Sequence, residues 1–95
     1  MPILQIEHPV RDFDAWKRAF DADPVGRERG GVRRYRILRP SGDPNYVLVE
    51  LEFDGADEAE AFLDALRDLW RGAEVQGLIE RPQARIVDTV EDREY

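Results

Sequence analysis

Tyr46-Val47-Leu48-Val49-Glu50-Leu51-Glu52-Phe53 is the stretch on which the fold turns. Val47, Val49, Leu51 and Phe53 fall at every second position and share one face of an extended strand, with Leu48, Glu50 and Glu52 on the reverse. A wholly apolar face backed by a mixed one marks a central strand, packed on one side. Just before it, Pro40-Ser41-Gly42-Asp43-Pro44-Asn45 is dense in turn formers and predicts a hairpin loop. The partner strand runs over 32–39, with Tyr35 and Ile37 on one face and Val32, Arg34, Arg36 and Leu38 on the other.

After the central strand, Ala59, Phe62, Leu63, Leu66, Leu69 and Trp70 recur at helical spacing and predict an amphipathic helix over 57–71. Asp57 followed by Glu60 resembles a capping box. Residues 72–82 then read as a loop punctuated by Gly72, Gly77 and Pro82, and 83–90 as a last strand. At the other end, residues 2–9 read as a strand with Leu4, Ile6 and His8 on one face and Ile3, Gln5 and Glu7 on the other. Asp12 is placed to cap a helix over 13–22 whose stripe is Phe13, Trp16 and Phe20. Asp23-Pro24 restarts the chain, and a short helical piece over 24–29 ends at Gly30-Gly31. This order, strand–helix–strand twice over, is the ferredoxin-like βαββαβ plan. It predicts an α+β fold: a four-stranded antiparallel sheet with both helices on one face, in a single domain over 1–95.

Length and charge narrow the rest. A chain of 95 residues buries roughly 60–65% of its unfolded surface, a thin margin for a monomer. Cysteine is absent, so no disulfide or thiolate is available, and the single histidine, His8, rules out a structural zinc site. No metal and no cofactor are expected. With 21 acidic and 14 basic residues the net charge is -7, the opposite of a nucleic-acid or anionic-membrane surface. Arg33, Arg34, Arg36 and Arg39 alternate between faces and form no single basic stripe. No stretch approaches the roughly 20 apolar residues of a membrane span. Glu7, His8 and Pro9 interrupt any leader-like apolar segment, so a cytoplasmic location is expected.

Matching the apolar sides of the strands puts Leu4, Ile6, His8, Tyr35 and Ile37 beneath the helices. The reverse face then shows Gln5, Glu7, Arg34, Arg36, Leu48 and Glu50, with Val32 and Leu38 beside them. That surface is too apolar to stand bare and too charged for a core, and it suits a sheet-to-sheet homodimer contact. Its charges read as cross-strand pairs that set register, or alternatively as an anion-binding or acid–base site inside a barrel of two sheets. No acid–base pair is expected from Glu50 and Glu52. On the helix side, His8 has the one side chain that ordinarily titrates near neutrality, and with Tyr35 it is the candidate proton-transfer group. Trp16 and Trp70 are candidates to line a pocket for a planar ligand, or else simple core aromatics. The chain lacks a dinucleotide-binding glycine motif, a P-loop and an H-E-x-x-H motif. Ser41, the lone serine, sits in the hairpin loop, far along the chain from His8.

The run His8-Pro9-Val10-Arg11-Asp12-Phe13-Asp14-Ala15-Trp16-Lys17, with Phe20-Asp21 after it, resembles the start of antibiotic biosynthesis monooxygenase-like proteins of the dimeric α/β-barrel superfamily. Gly42-Asp43-Pro44-Asn45 leading into Val47–Phe53, then Ala59 through Phe62-Leu63, extends the likeness over nearly the whole chain. The resemblance implies a ferredoxin-like subunit whose sheet packs on its partner's to form a barrel, with any ligand pocket between sheet and helices. It also implies activity like that of cofactor-independent monooxygenases on aromatic or polyketide-like small molecules, oxygenase or cyclase in type. Haem-degrading relatives supply an axial histidine from a helix, and the 57–71 helix has none. The alternative is a non-catalytic dimeric module that binds a small ligand or a partner.

Overall fold

The computed structural model describes residues 1–75 and 77–95, the side chains of 73–75 excepted. The elements are β1 (Pro2–Pro9), α1 (Phe13–Asp21), β2 (Val32–Leu38), β3 (Tyr46–Phe53), α2 (Ala56–Val75) and β4 (Gln83–Asp88). They build one antiparallel sheet in the order β2-β3-β1-β4, the βαββαβ arrangement anticipated from the alternation of β3. β3 and β1 are the inner strands. Leu4, Ile6, Val47, Val49, Leu51 and Phe53 are buried beneath the helices with His8.

Local chemistry accounts for most of the boundaries. The Asp12 carboxylate accepts from the backbone N–H of Asp14 and Ala15 and so caps α1. In the hairpin, the Asp43 side chain accepts from the Asn45 N–H at 3.0 Å, and the Asp43 N–H donates to the Pro40 carbonyl at 3.1 Å. α2 departs from expectation at both ends. It begins at Ala56, so Asp57 lies inside the first turn, where its charge suits the helix dipole, instead of capping it. It also continues past Gly72 to Val75, since one glycine costs a helix only about 1 kcal/mol. Gln76, within the loop expected over 72–82, lies outside the described residues.

Two further expectations fail for local reasons. The piece 24–29 is not helical: Asp23 and Gly26 both take positive φ, at 53° and 87°. The Asp23 carboxylate accepts the Arg27 N–H at 2.9 Å, the donor that a helix would pair with the residue-23 carbonyl. The result is a compact turn that presses Gly30 onto α2, where a Cβ would stand 2.5 Å from a Phe62 ring carbon. Val32, expected on the open face, pairs with Phe53 on the helix side instead. A bulge at Arg33 shifts the register, so Arg34 returns to the open face opposite Glu52 while Arg33 reaches out to Asp54 at 2.6 Å.

The helices cover the sheet unequally. α2 lies close on β1, β3 and β4, whereas α1 approaches the sheet chiefly through its aromatic side chains.

Candidate functional site

That difference in stand-off leaves a cavity of about 300 Å³ between the sheet and the helices. Its floor is Ile6, His8, Val49 and Leu51 from the inner strands. α1 supplies Trp16 and Phe20, α2 supplies Phe62, Leu66, Leu69 and Trp70, and the turn after α1 supplies Asp23 and Arg27. Pro24, Leu69 and Gly72 are both exposed and cavity-lining, which puts the mouth between that turn and the end of α2. The rings do not fill this space, although Trp16 stacks on both Phe13 and Phe20, at 5.7 and 5.2 Å between centroids.

His8 is the polar group of the floor, only 2% exposed. Its Nδ1 lies 3.0 Å from the Pro9 carbonyl oxygen and must be the donor in that bond, which assigns the proton to Nδ1. The Trp16 ring holds the imidazole edge-on at 6.0 Å between centroids. Burial pushes the His8 pKa below its usual 6.5, with the bond to Pro9 opposing more weakly. At neutral pH the ring is therefore uncharged, with a basic Nε2. Nε2 has no hydrogen-bond partner among the described residues, yet no side-chain nitrogen or oxygen there is both fully buried and unpaired. Nε2 accordingly abuts the cavity.

Of the four residues proposed for chemistry or binding, the structure gathers three. His8, Trp16 and Trp70 line the cavity together. Tyr35 is on the helix side of the sheet, as expected, but on the edge strand, 42% exposed, with its ring against Phe20 outside the cavity lining. Asp23 and Arg27 are the residues sequence reasoning missed at this site. Asp23 was read as the residue before a helical piece and Arg27 as part of it, so neither had a particular direction, and the Asp23-Pro24 step was the only hint. Among the described residues no group of His, Cys, Asp or Glu is arranged to hold a metal ion.

The open face of the sheet is organised as a polar row crossing all four strands. Arg36 donates to Glu50 at 2.5 Å, Gln5 Nε2 donates to the other Glu50 oxygen at 3.1 Å, and Arg85 donates to Gln5 Oε1 at 3.0 Å. The Arg36 bond holds the Glu50 carboxyl below the usual carboxylate range. Arg34 pairs with Glu52 at 2.6 Å, and Glu7 accepts from the Tyr46 hydroxyl at 2.8 Å, which raises the tyrosine pKa. Glu50 and Glu52 share this face but each is held by its own arginine, so they form no carboxylate pair. Ile3, Leu48 and Val87 lie between the rows, half-buried.

Fold and cavity together define a ferredoxin-like chain with a pocket under its helices. No protein-family model and no curated protein matches the chain by sequence. Solved structures do match in shape. A protein from Nitrosomonas europaea, assigned provisionally as an antibiotic biosynthesis monooxygenase, is 20% identical, with 96% of this chain and all of that one aligned at a TM-score of 0.71. SnoaB, a cofactor-independent oxygenase from Streptomyces nogalater, is 13% identical over 96% of this chain and 94% of its own, at a TM-score of 0.76. A dimeric ferredoxin-like protein from an uncultured marine organism is 8% identical over the full length of both chains, at 0.64. The chain thus has the fold of the antibiotic biosynthesis monooxygenase-like proteins that its sequence resembles. No described helix is long and apolar enough to cross a membrane.

Proposed function

We propose that the protein binds a small aromatic molecule beneath its helices and oxygenates it without a cofactor. The observation that carries this is the open apolar cavity with a neutral, buried imidazole on its floor. Its volume stands at the small end of the roughly 300–1,000 Å³ typical of ligand pockets, so the body it suits is a compact ring system. A substrate hydroxyl donates to His8 Nε2, which draws off the proton as the ring becomes electron-rich enough to reduce O₂. Where an activated methylene is oxidised, one atom of O₂ becomes its carbonyl oxygen and the other leaves with the two hydrogens as water.

Incubation with two- and three-ring phenols under O₂, followed by oxygen uptake and by mass spectrometry with labelled O₂, tests this directly. Turnover with label incorporation is expected, and His8→Asn should lower it by roughly 10²-fold or more, the usual contribution of a general base. Tyr35 lies outside the cavity lining, which removes the expected partner of His8 in proton transfer and favours binding without turnover as the second reading. Saturable binding with no oxygen uptake would decide for it.

In either reading the protein is proposed to work as a homodimer through the open sheet face, with Gln5, Glu7, Arg34, Arg36, Leu48 and Glu50 in the contact. The half-buried Ile3, Leu48 and Val87 among paired charges support this, as they need cover that no helix provides. Light scattering should give twice the 11.0 kDa chain mass for the wild type, and the single mass for Leu48→Glu.

A further inference from the structure

Asp23 and Arg27 are the two charged residues in a lining that is otherwise apolar apart from His8. Arg27 is held firmly but incompletely used. Its Nη1 donates to the Phe20 carbonyl at 2.8 Å, and its guanidinium lies 4.0 Å from the Phe20 ring centre and 5.0 Å from that of Tyr35. The Asp23 carboxylate stands 3.6 Å from the same Nη1, an ionic contact too long for a hydrogen bond. A guanidinium has five N–H donors in a planar fork. Nε and Nη2 of Arg27 have no hydrogen-bond acceptor among the described residues, and neither is fully buried. Arg27 lines the cavity, and these two donors are open to solvent or to a ligand there. The Arg27 side chain is only 17% exposed, so an ion pair formed there is weakly screened.

We propose that Arg27 determines which ligands the cavity accepts: aromatic compounds carrying one carboxylate. The apolar body lies among Trp16, Phe20, Leu66 and Trp70, and the carboxylate takes the fork of Arg27 at the mouth. Asp23 occupies the neighbouring position in the empty protein. Its carboxylate partly neutralises Arg27 from a strained backbone conformation at positive φ, and it competes with the incoming anion. The inference rests on the ligand-cavity reading above and adds the charge of the ligand to it.

Two probes of nearly equal shape separate these ideas, 2-naphthoate and the neutral 2-naphthamide, titrated calorimetrically into the wild-type protein. The naphthoate is expected to bind about tenfold more tightly, the size of one charge-assisted hydrogen-bonded pair. Arg27→Met, which keeps the stem against Phe20, should bring the naphthoate down to the level of the naphthamide. Because Arg27 also ties down the turn, a second variant leaves that residue alone. Asp23→Asn keeps an oxygen for the Arg27 N–H and a residue tolerant of positive φ, while removing the competing charge. It should tighten naphthoate binding severalfold and leave naphthamide unchanged. Equal binding of the two probes, a preference that survives Arg27→Met, or no gain in Asp23→Asn overturns the role of Arg27 while naphthamide binding preserves the cavity reading. Failure of both probes to bind overturns the two together.

Discussion

The two helices do the same topological job in different ways. α2 closes on the sheet through Ala59, Phe62 and Leu63, all buried, with Phe62 meeting Phe53 at 5.6 Å between ring centres. α1 is held off by Trp16 and Phe20, whose rings meet His8 of β1 and Tyr35 of β2 edge-on. A small residue such as Ala59 lets two backbones approach, whereas bulky rings at i and i+4 keep them apart. The first helix gives up packing and keeps a cavity; the second supplies the contact that stabilises the fold.

Truncating one ring under α2 and one ring on α1 should show this most strongly. Phe53→Ala, at a site with no exposure, is expected to cost about 3–5 kcal/mol, a large part of the stability of a domain this size. Phe20→Ala, on a half-buried ring already bordering empty space, should cost about 1–2 kcal/mol and enlarge the cavity. Urea denaturation of the two variants measures both values. Equal costs would mean that the α1 side is as tightly packed as the layer beneath α2.

Acidification probes the α1 side more gently. The His8 pKa is lower folded than unfolded, so above pH 6.5 both states are uncharged there and the group adds no slope. As pH falls below 6.5 the unfolded chain takes up the proton first, and stability drops until the folded value is reached. His8→Asn should flatten the pH dependence of the melting temperature between pH 6.5 and about 5, ahead of most carboxylate titration. The slope from one group cannot exceed about 1.4 kcal/mol per pH unit.

Legibility in the sequence followed the range of the interactions. β3, β1 and the Asp12 cap depend on neighbours within a few residues, and all were readable to within a residue or so. His8, Trp16 and Trp70 could be brought to one site because face and element order together place them under the helices. Val32 could not, since a bulge at Arg33 breaks the two-residue period without any signature of its own. Nor could the Arg27 site. The side chain of Asp23 competes for the Arg27 N–H, and the packing of Gly30 on Phe62 stabilises a turn where local propensity allowed a helix.

By itself, then, the sequence determined the α+β order, the apolar face of each strand and the position of the lone histidine beneath the helices. These follow from periodicity, which every residue carries with it. Only the tertiary structure decided that α1 stands away from the sheet, that its rings leave a cavity unfilled, and that Arg27 joins the lining of that cavity. Each depends on side chains distant in sequence meeting in space: Trp16 on His8, Phe20 on Tyr35, and Phe62 against Gly30. Such contacts are settled by volume and shape, which no periodicity along the chain encodes.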